Sequence, residues 1–187
     1  MPTQAQIVNQ ALAEIAAQYT VSGTNPSFDG SAAGNAAGLL YTPAVQTLLR
    51  AQDYEFSRQE VTLVASGNTP PYPWTSEFLY PSACLRLRQV QPTTWTINDP
   101  QPVRWNVGNA LVSAADTRVI WTTLSSAVAI ITSSNVLEPE WDAVFTESFV
   151  RFLGSLMAPA LAGRIDLSRK MLGDVSTFSQ IGQDRDS

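Results

Sequence analysis

The sequence has no histidine, a single cysteine, one lysine and few charges of either sign. Of its 187 residues 14% are charged, and the formal net charge is −5. Without histidine there is no Ser/His/Asp or Cys/His catalytic set, no imidazole metal ligand and no side chain that titrates near neutral pH at its unperturbed pKa. Cys84 alone can form neither an intrachain disulfide nor a multi-thiolate zinc site. These absences exclude most hydrolase and metalloenzyme mechanisms and favour a cytosolic origin.

Long hydrophobic runs are also missing. The longest strongly apolar stretch, Phe152–Gly163, is shorter than the about 20 residues that cross a bilayer. The first residues have neither a basic leader nor an apolar segment, so we predict no signal peptide. Because acids outnumber bases, the chain is not expected to bind nucleic-acid backbones in general. Apolar residues still make up 44% of the chain, which is enough for a core.

Helical periodicity is confined to the two ends of the chain. It predicts a helix over 3–19, with Thr3 as its cap and Gln6 completing a capping box, and a second over 31–54. Pro43 lies inside the second, so either that helix kinks or a new helix starts there. A wide apolar stripe begins after Pro139, which suits a first helical position, and a last helix is predicted over 166–178.

The middle of the chain, from about residue 57 to 136, has the composition of β-structure. Threonine, serine, valine and tryptophan are frequent there, and about five strands are predicted. Leu85–Arg88 alternates strictly between apolar and charged residues. Alternation before and after Gly108-Asn109 predicts a hairpin turn at that dipeptide, a second turn is expected at 115–117, and 128–131 could form a further strand.

This order of elements predicts an α+β fold, in which the N- and C-terminal segments form a four-helix bundle with an inserted antiparallel β lobe. The predicted boundaries are 1–56 for the N-terminal helices, 57–137 for the β lobe, 138–179 for the C-terminal helices and 180–187 for a flexible tail. The residues expected in the bundle core are Ile7, Leu12, Ile15, Leu48, Leu49, Phe145, Phe149, Phe152 and Leu156.

No residue pattern for catalysis, cofactor binding or metal binding stands out. Four carboxylates lie near one helix start, where acids favour the helix dipole, and that interpretation is preferred over a paired-acid site. Ser168 and Lys170 fall on different helical faces, and no phosphate-binding loop is present. We therefore predict no catalytic, cofactor or metal residues. The four carboxylates are Glu138, Glu140, Asp142 and Glu147.

Three groups of residues are candidates for binding a partner. Arg86 and Arg88 share one face of a predicted strand, although a half-buried strand with a solvated outer face is the simpler interpretation. Aromatic residues in a proline-rich stretch could either cover the core or anchor a neighbouring chain. The polar tail after residue 178 is either a disordered end or an arm that becomes ordered on a partner. The aromatic residues are Tyr72, Trp74, Phe78 and Tyr80.

The ordered series of segments resembles the family of tail tubular protein A and head-to-tail adaptor proteins of short-tailed phages. The likeness covers nearly the whole chain, although Tyr54 stands where the family commonly has tryptophan and the family's usual acid is absent near Ser82. The segments that carry the likeness are Ile7–Leu12, Ala36–Arg50, Asp53–Phe56, Phe78–Leu87, Trp105–Ser113, the strand ending near Trp121, and Glu140–Phe145 with the apolar helix after it.

This resemblance implies a structural subunit and not an enzyme. The subunit would form a ring, usually of twelve copies, that joins the portal protein to the tail nozzle and lets genome DNA pass without sequence-specific binding. It would be made in the host cytoplasm and reside in the virion. It also implies that the C-terminal segment reaches the portal, which favours the arm interpretation of the tail. The residues proposed to contact partners are Phe178, Ile181, Asp184, Arg185, Asp186, Tyr72, Trp74, Arg86 and Arg88.

Two alternative functions stay open on the sequence. A head-completion connector of a long-tailed phage would also combine a helical bundle with a β excursion, and gene order would separate it from an adaptor. A tail-associated cell-wall hydrolase would need a catalytic acid, for which Glu147 is the candidate.

Overall fold

The computed structural model describes residues 2–94, 103–161, 163 and 166–173. The chain divides into two compact units, one formed by Met1–Gln52 and Val136–Ser187 and the other by Asp53–Asn135. The first unit contains the α-helices and the second contains two antiparallel three-stranded sheets. The predicted α+β class is therefore confirmed. No helix within the described residues is long and apolar enough to span a membrane.

The first helix, α1 (Gln4–Glu14), begins with the predicted capping box. The Thr3 hydroxyl accepts the backbone N–H of Gln6, and the Gln6 side chain accepts the backbone N–H of Thr3. The helix ends at Glu14 instead of Tyr19. Ala16 has a φ of 54°, in the left-handed region that interrupts an α-helix, so the apolar pattern overestimated the length of α1.

The second helix, α2 (Ala32–Ala51), is continuous through Pro43. The alternative of a new helix starting at Pro43 is therefore wrong. Ser31 caps the helix, because its hydroxyl accepts the backbone N–H of Gly34. The helix ends at Ala51 and not at Tyr54, because Gln52 has an extended backbone with φ −129° and ψ 169°.

The third helix, α3 (Ala143–Leu161), starts later than predicted. Pro139 lies in a separate 3₁₀ turn, Glu138–Glu140, and not at the first position of the long helix. The cap of α3 is Asp142, whose carboxylate accepts the N–H of Phe145 while its carbonyl accepts the N–H of Thr146. A carboxylate at this position also interacts favourably with the helix dipole.

The helical unit buries seven of the nine predicted core residues. Phe152 and Leu156 are instead partly exposed, and Leu153 and Met157 take the buried positions. On α3 the largest buried side chains recur every four residues, along one i, i+4 ridge of the helix surface. The buried residues of this row are Phe145, Phe149, Leu153 and Met157.

Small residues on α3 let other helices approach closely. A Cβ added at Gly154 would lie 3.1 Å from the carbonyl oxygen of Ala11 on α1 and 2.9 Å from Cε of Met171. Met171 belongs to the helical residues 166–173, and within that segment the Ser168 hydroxyl donates to the carbonyl of Ser155 at 2.7 Å. The rest of the predicted last helix, up to Phe178, lies outside the described residues.

The described residues of the β unit form six strands where about five were predicted. Its first sheet has the order β1-β6-β3 and its second the order β2-β5-β4, with all pairs antiparallel. The strands are β1 (Arg58–Thr62), β2 (Ser76–Leu79), β3 (Cys84–Pro92), β4 (Trp105–Val112), β5 (Ala115–Thr122) and β6 (Ala127–Ser133).

The predicted turn at Gly108-Asn109 is wrong, because β4 runs straight through both residues. The turn of the β4–β5 hairpin is formed by Ser113 and Ala114, whose φ values of 51° and 67° are those of a two-residue type I′ turn. Residues 115–117, predicted as a second turn, belong to β5. The glycine at 108 serves packing instead, since an added Cβ would lie 2.2 Å from Cη2 of the Trp121 ring.

Both sheets contribute side chains to one hydrophobic cluster within the β unit. Trp105 and Val107 of β4 pack against its margin. The buried members of the cluster are Leu63, Phe78, Leu87, Val90, Ile120, Ala127, Ala129 and Ile131.

Candidate functional site

The aromatic candidates near the start of β2 differ widely in exposure. Tyr72 is 98% exposed, and Trp74 is partly exposed, with its backbone N–H bonded to the carbonyl of Pro71. Phe78 is buried in the β core, and Tyr80 is partly buried with the Arg118 guanidinium 4.2 Å from its ring centroid. The core-covering interpretation therefore holds for Phe78, and the assignment of Tyr72 to a partner contact stays a prediction.

The two arginine candidates on β3 do not share a solvated face, contrary to expectation. The pairing of β3 with β6 shifts register between Cys84 and Arg86 and again between Leu87 and Gln89. Such bulges break the strict alternation from which the shared face was inferred. Arg86 is exposed, whereas the side chain of Arg88 is only 12% exposed.

Arg88 belongs to a charged cluster around Asp53. Its Nε donates to Oγ1 of Thr132 at 2.7 Å and lies 3.4 Å from Oδ1 of Asp53. Arg58 binds the same carboxylate with two hydrogen bonds, of 3.1 and 2.7 Å, and also pairs with Glu55. Hydrogen bonding from Arg58, with the charge of Arg88, holds the pKa of Asp53 below its usual value despite some burial. The cluster already engages the Arg88 side chain, and the charge of Arg86 also acts on Asp53.

The C-terminal candidates cannot be placed on the fold. Phe178, Ile181, Asp184, Arg185 and Asp186 all lie outside the described residues. Their assignment to the portal contact stays a prediction.

A buried glutamate in the β unit was not singled out on the sequence. Glu77 on β2 is only 4% exposed. Its Oε1 accepts the Ser66 hydroxyl at 2.7 Å and the Asn68 amide at 3.0 Å, and its Oε2 accepts the Trp121 indole N–H at 2.8 Å. Burial by itself would raise the pKa of Glu77. The three hydrogen bonds, of which the one from Trp121 has the largest effect, hold that pKa below its usual value.

The Glu77 network joins parts of the β unit that are distant in sequence. The Asn68 amide that binds Glu77 also donates to the carbonyl of Leu111 on β4, at 3.0 Å. Trp121 on β5 supplies the indole donor, and its ring lies against Gly108 on β4. A single acid in an otherwise uncharged strand was the only sequence signal, and it does not reveal these partners.

The four carboxylates singled out on the sequence each have a role in local structure. Glu140 accepts the N–H of Leu137, Asp142 caps α3, and Glu147 pairs with Arg151 one turn along the helix. The expected role at a helix start is confirmed for Asp142. Glu138 has a different role, because its Oε1 accepts hydrogen bonds from the Gln4 side chain at 2.6 Å and from the Tyr41 hydroxyl at 3.1 Å.

Tyr41 connects Glu138 to an aromatic cluster. Its ring lies 5.1 Å from that of Phe149 and 6.4 Å from that of Trp141, between centroids. Burial, reinforced by the nearby Glu138 charge, raises the pKa of Tyr41 far above its usual value. Tyr41 therefore stays a neutral hydrogen-bond donor and stabilises the helical unit. Within the described parts of the chain, no group of three or more Cys, Asp and Glu side chains could hold a metal ion.

Comparison with known proteins adds no assignment. No family model matches the sequence, and the search of curated proteins also found no match.

Proposed function

We propose that this chain is a structural subunit of a phage head-to-tail connector, forming a ring with its own copies between the portal protein and the tail nozzle. One observation carries the proposal. Helical segments from both ends of the chain form one compact unit, and the middle forms a separate antiparallel β unit. This is the order of elements on which the resemblance to head-to-tail adaptors rests. The ring would reside in the virion neck.

Within the helical unit, we propose that α1, α2, α3 and the helical residues 166–173 form a four-helix bundle. Contacts to α3 support this arrangement. Gly154 lies close to both Ala11 and Met171, and the Tyr41 ring on α2 packs against Phe149. Because α3 contacts each of the other three segments, it would be the central helix of the bundle.

The charge of the chain supports a bore that lets DNA slide. The net charge is −5, and Arg88 is engaged with Asp53 inside the β unit. A ring lined by unpaired cations would hold phosphates, whereas an acidic or neutral lining would release them. Tyr72, with its ring almost fully exposed, is an aromatic anchor of the kind enriched at protein interfaces.

The test is electron microscopy of the purified chain mixed with the portal protein encoded in the same genome, with each protein alone as a control. The expected result is a ring of extra density below the portal in side views, with its symmetry visible from the top. Portal rings that stay bare at about 100 µM of this chain, a concentration that would reveal even weak binding, would overturn the proposal.

Two variants locate the contact. Deletion of Gln180–Ser187 should weaken portal binding, because it removes the proposed arm. Tyr72→Ser should weaken contacts between subunits or with the nozzle without unfolding the chain, because the Tyr72 side chain is already exposed to water. Gln59→Ser, on an exposed position of β1, is the matched control. If the truncated chain binds portal rings with unchanged affinity, the arm assignment is wrong even if the ring forms.

A further inference from the structure

The two sheets of the β unit have four edge strands, and three of them carry features that discourage pairing with another chain. β1 bears the charged residues Arg58 and Glu60, and β3 is broken by two register shifts. β2 is covered on its outer side, where the N–H of Leu79 bonds to Val64 and the N–H of Ser66 bonds to Glu77. Charges, bulges and coverage are the usual means by which proteins protect a sheet edge.

The fourth edge strand, β4, carries neither a charge nor a bulge in the part of the chain that the structure describes, although the carbonyl of Leu111 near its end accepts from Asn68. It spans eight residues, Trp105–Val112, without a charge or a proline. Its pairing with β5 is regular over all eight positions. Asn106, Asn109 and Leu111 are exposed along it, and Leu111 is 71% exposed although it is a large apolar residue. A long, regular and uncharged edge is suited to accept another strand.

The hairpin turn fixes which backbone groups of β4 face outward. Because Ser113 and Ala114 form a two-residue turn, Val112 and Ala115 are the hydrogen-bonded closing pair. The odd-numbered residues of β4 therefore direct their N–H and C=O groups away from β5. Two contacts agree with this, because the N–H of Val107 bonds to the Asn106 side chain at 2.9 Å and the carbonyl of Leu111 accepts from Asn68.

We propose that the outer edge of β4 pairs with β4 of a second copy, antiparallel and across a two-fold axis at Gly108. In this register Val107 meets Asn109 of the partner subunit, and Trp105 meets Leu111 of the partner subunit. All four are odd-numbered residues, so their outward groups can form the ladder. A two-fold pairing brings the residues beside the axis near their own equivalents, so a strand without charges there avoids like-charge repulsion.

The same register covers the exposed apolar side chain. Side chains alternate along a strand, so Leu111 projects from the same sheet face as Trp105. Trp105 packs against the margin of the β core, and Leu111 of the partner subunit would extend that apolar surface. The bond that the N–H of Val107 donates to Asn106 and the bond that the carbonyl of Leu111 accepts from Asn68 are both exposed, and both would be exchanged for backbone bonds between the two copies.

This dimer is a state of the free chain and goes beyond the proposed function. A two-fold pair does not by itself build a ring, whose subunits meet head to tail. Its test uses the full chain without portal protein. Failure of the dimer therefore leaves the connector proposal untouched, and bare portal rings leave the dimer untouched.

The first experiment is sedimentation of the purified full chain over a concentration series up to about 100 µM. A monomer–dimer equilibrium is expected. Asn109→Lys should abolish dimers, because two added cations would lie near the axis, while Gln59→Lys on β1 should leave them unchanged. Asn106→Ala should tighten the dimer severalfold, since it removes an acceptor that competes for the N–H of Val107. A monomer throughout the series, or dimers that Asn109→Lys does not weaken, would overturn the proposal.

Cross-linking then fixes the register. In a Cys84→Ser background, one variant carries Asn106→Cys and another carries Ala110→Cys. These two positions would face each other as a non-hydrogen-bonded pair with Cα atoms about 4.5 Å apart, within the range for a disulfide. Oxidation of the mixture should give a disulfide dimer, and either variant alone should give far less. Equal cross-linking of each variant alone would contradict the register at Gly108.

Discussion

Replacing Glu77 with glutamine should destabilise the β unit by about 1.5 to 3 kcal/mol, the value of one hydrogen bond to a buried charged group. The carboxylate accepts three side-chain donors through its two oxygens, and the residue is only 4% exposed. Glutamine has one accepting oxygen and one NH₂ group. Whichever way the amide turns, it directs that NH₂ group toward either the Trp121 indole or the Ser66 and Asn68 donors, so at least one donor loses its acceptor.

Urea denaturation followed by circular dichroism measures this change in unfolding free energy, provided that the slope against urea stays the same. Glu60→Gln is the matched control, because Glu60 is an exposed glutamate on β1, and its effect should be within about 0.5 kcal/mol. A Glu77→Gln loss no larger than that of the control would refute the role of the network. A double-mutant cycle with Trp121→Phe should give a coupling energy of at least about 0.5 kcal/mol.

The pH dependence of stability offers a second test of Glu77. Its pKa in the folded state lies below the ordinary value of 4.5. A carboxyl of this kind stabilises the fold fully above its unfolded pKa, and the contribution is lost as the pH falls through the folded pKa. The stability difference between the natural chain and Glu77→Gln should therefore be constant from neutral pH to about 4.5 and shrink below it. A difference that grows on acidification would contradict this sign.

The other predictions concern packing and capping, each measured as an unfolding free energy. Gly108→Ala should lower the unfolding free energy by about 1 to 3 kcal/mol, because the added methyl group overpacks against the Trp121 ring. Gly173→Ala should raise it by up to about 1 kcal/mol, because Gly173 is helical and has open space around it. Phe149→Asp should lower the unfolding free energy by at least about 3 kcal/mol, because Phe149 is fully buried. Val144→Asp is the control and should cost little, because Val144 lies near the start of the same helix but is 39% exposed. Equal losses would contradict the assigned helix face. Thr3→Ala should cost about 1 kcal/mol, and no loss would show that the capping box does not stabilise α1.

The candidate partner-binding residues illustrate what a strand pattern leaves out. Arg86 and Arg88 are two positions apart, which in a regular strand places them on one face. One register shift against β6 lies between them, and the approach of Asp53 engages Arg88. Neither the register shift nor the ion pair can be deduced from the order of residues, because both depend on how another strand aligns with β3. The exposure of Tyr72 likewise follows from the conformation of its loop.

The sequence by itself determined the features that depend on neighbouring residues. It established the α+β order of elements and the capping box at Thr3, because a helix start is satisfied within one turn of the chain. Tertiary structure alone decided the features that join distant residues: the donors around Glu77, and the continuation of β4 through Gly108, where the Trp121 ring occupies the space that a side chain would need. A glycine that allows a turn and a glycine that admits a ring look identical in sequence, and only packing against another strand distinguishes them.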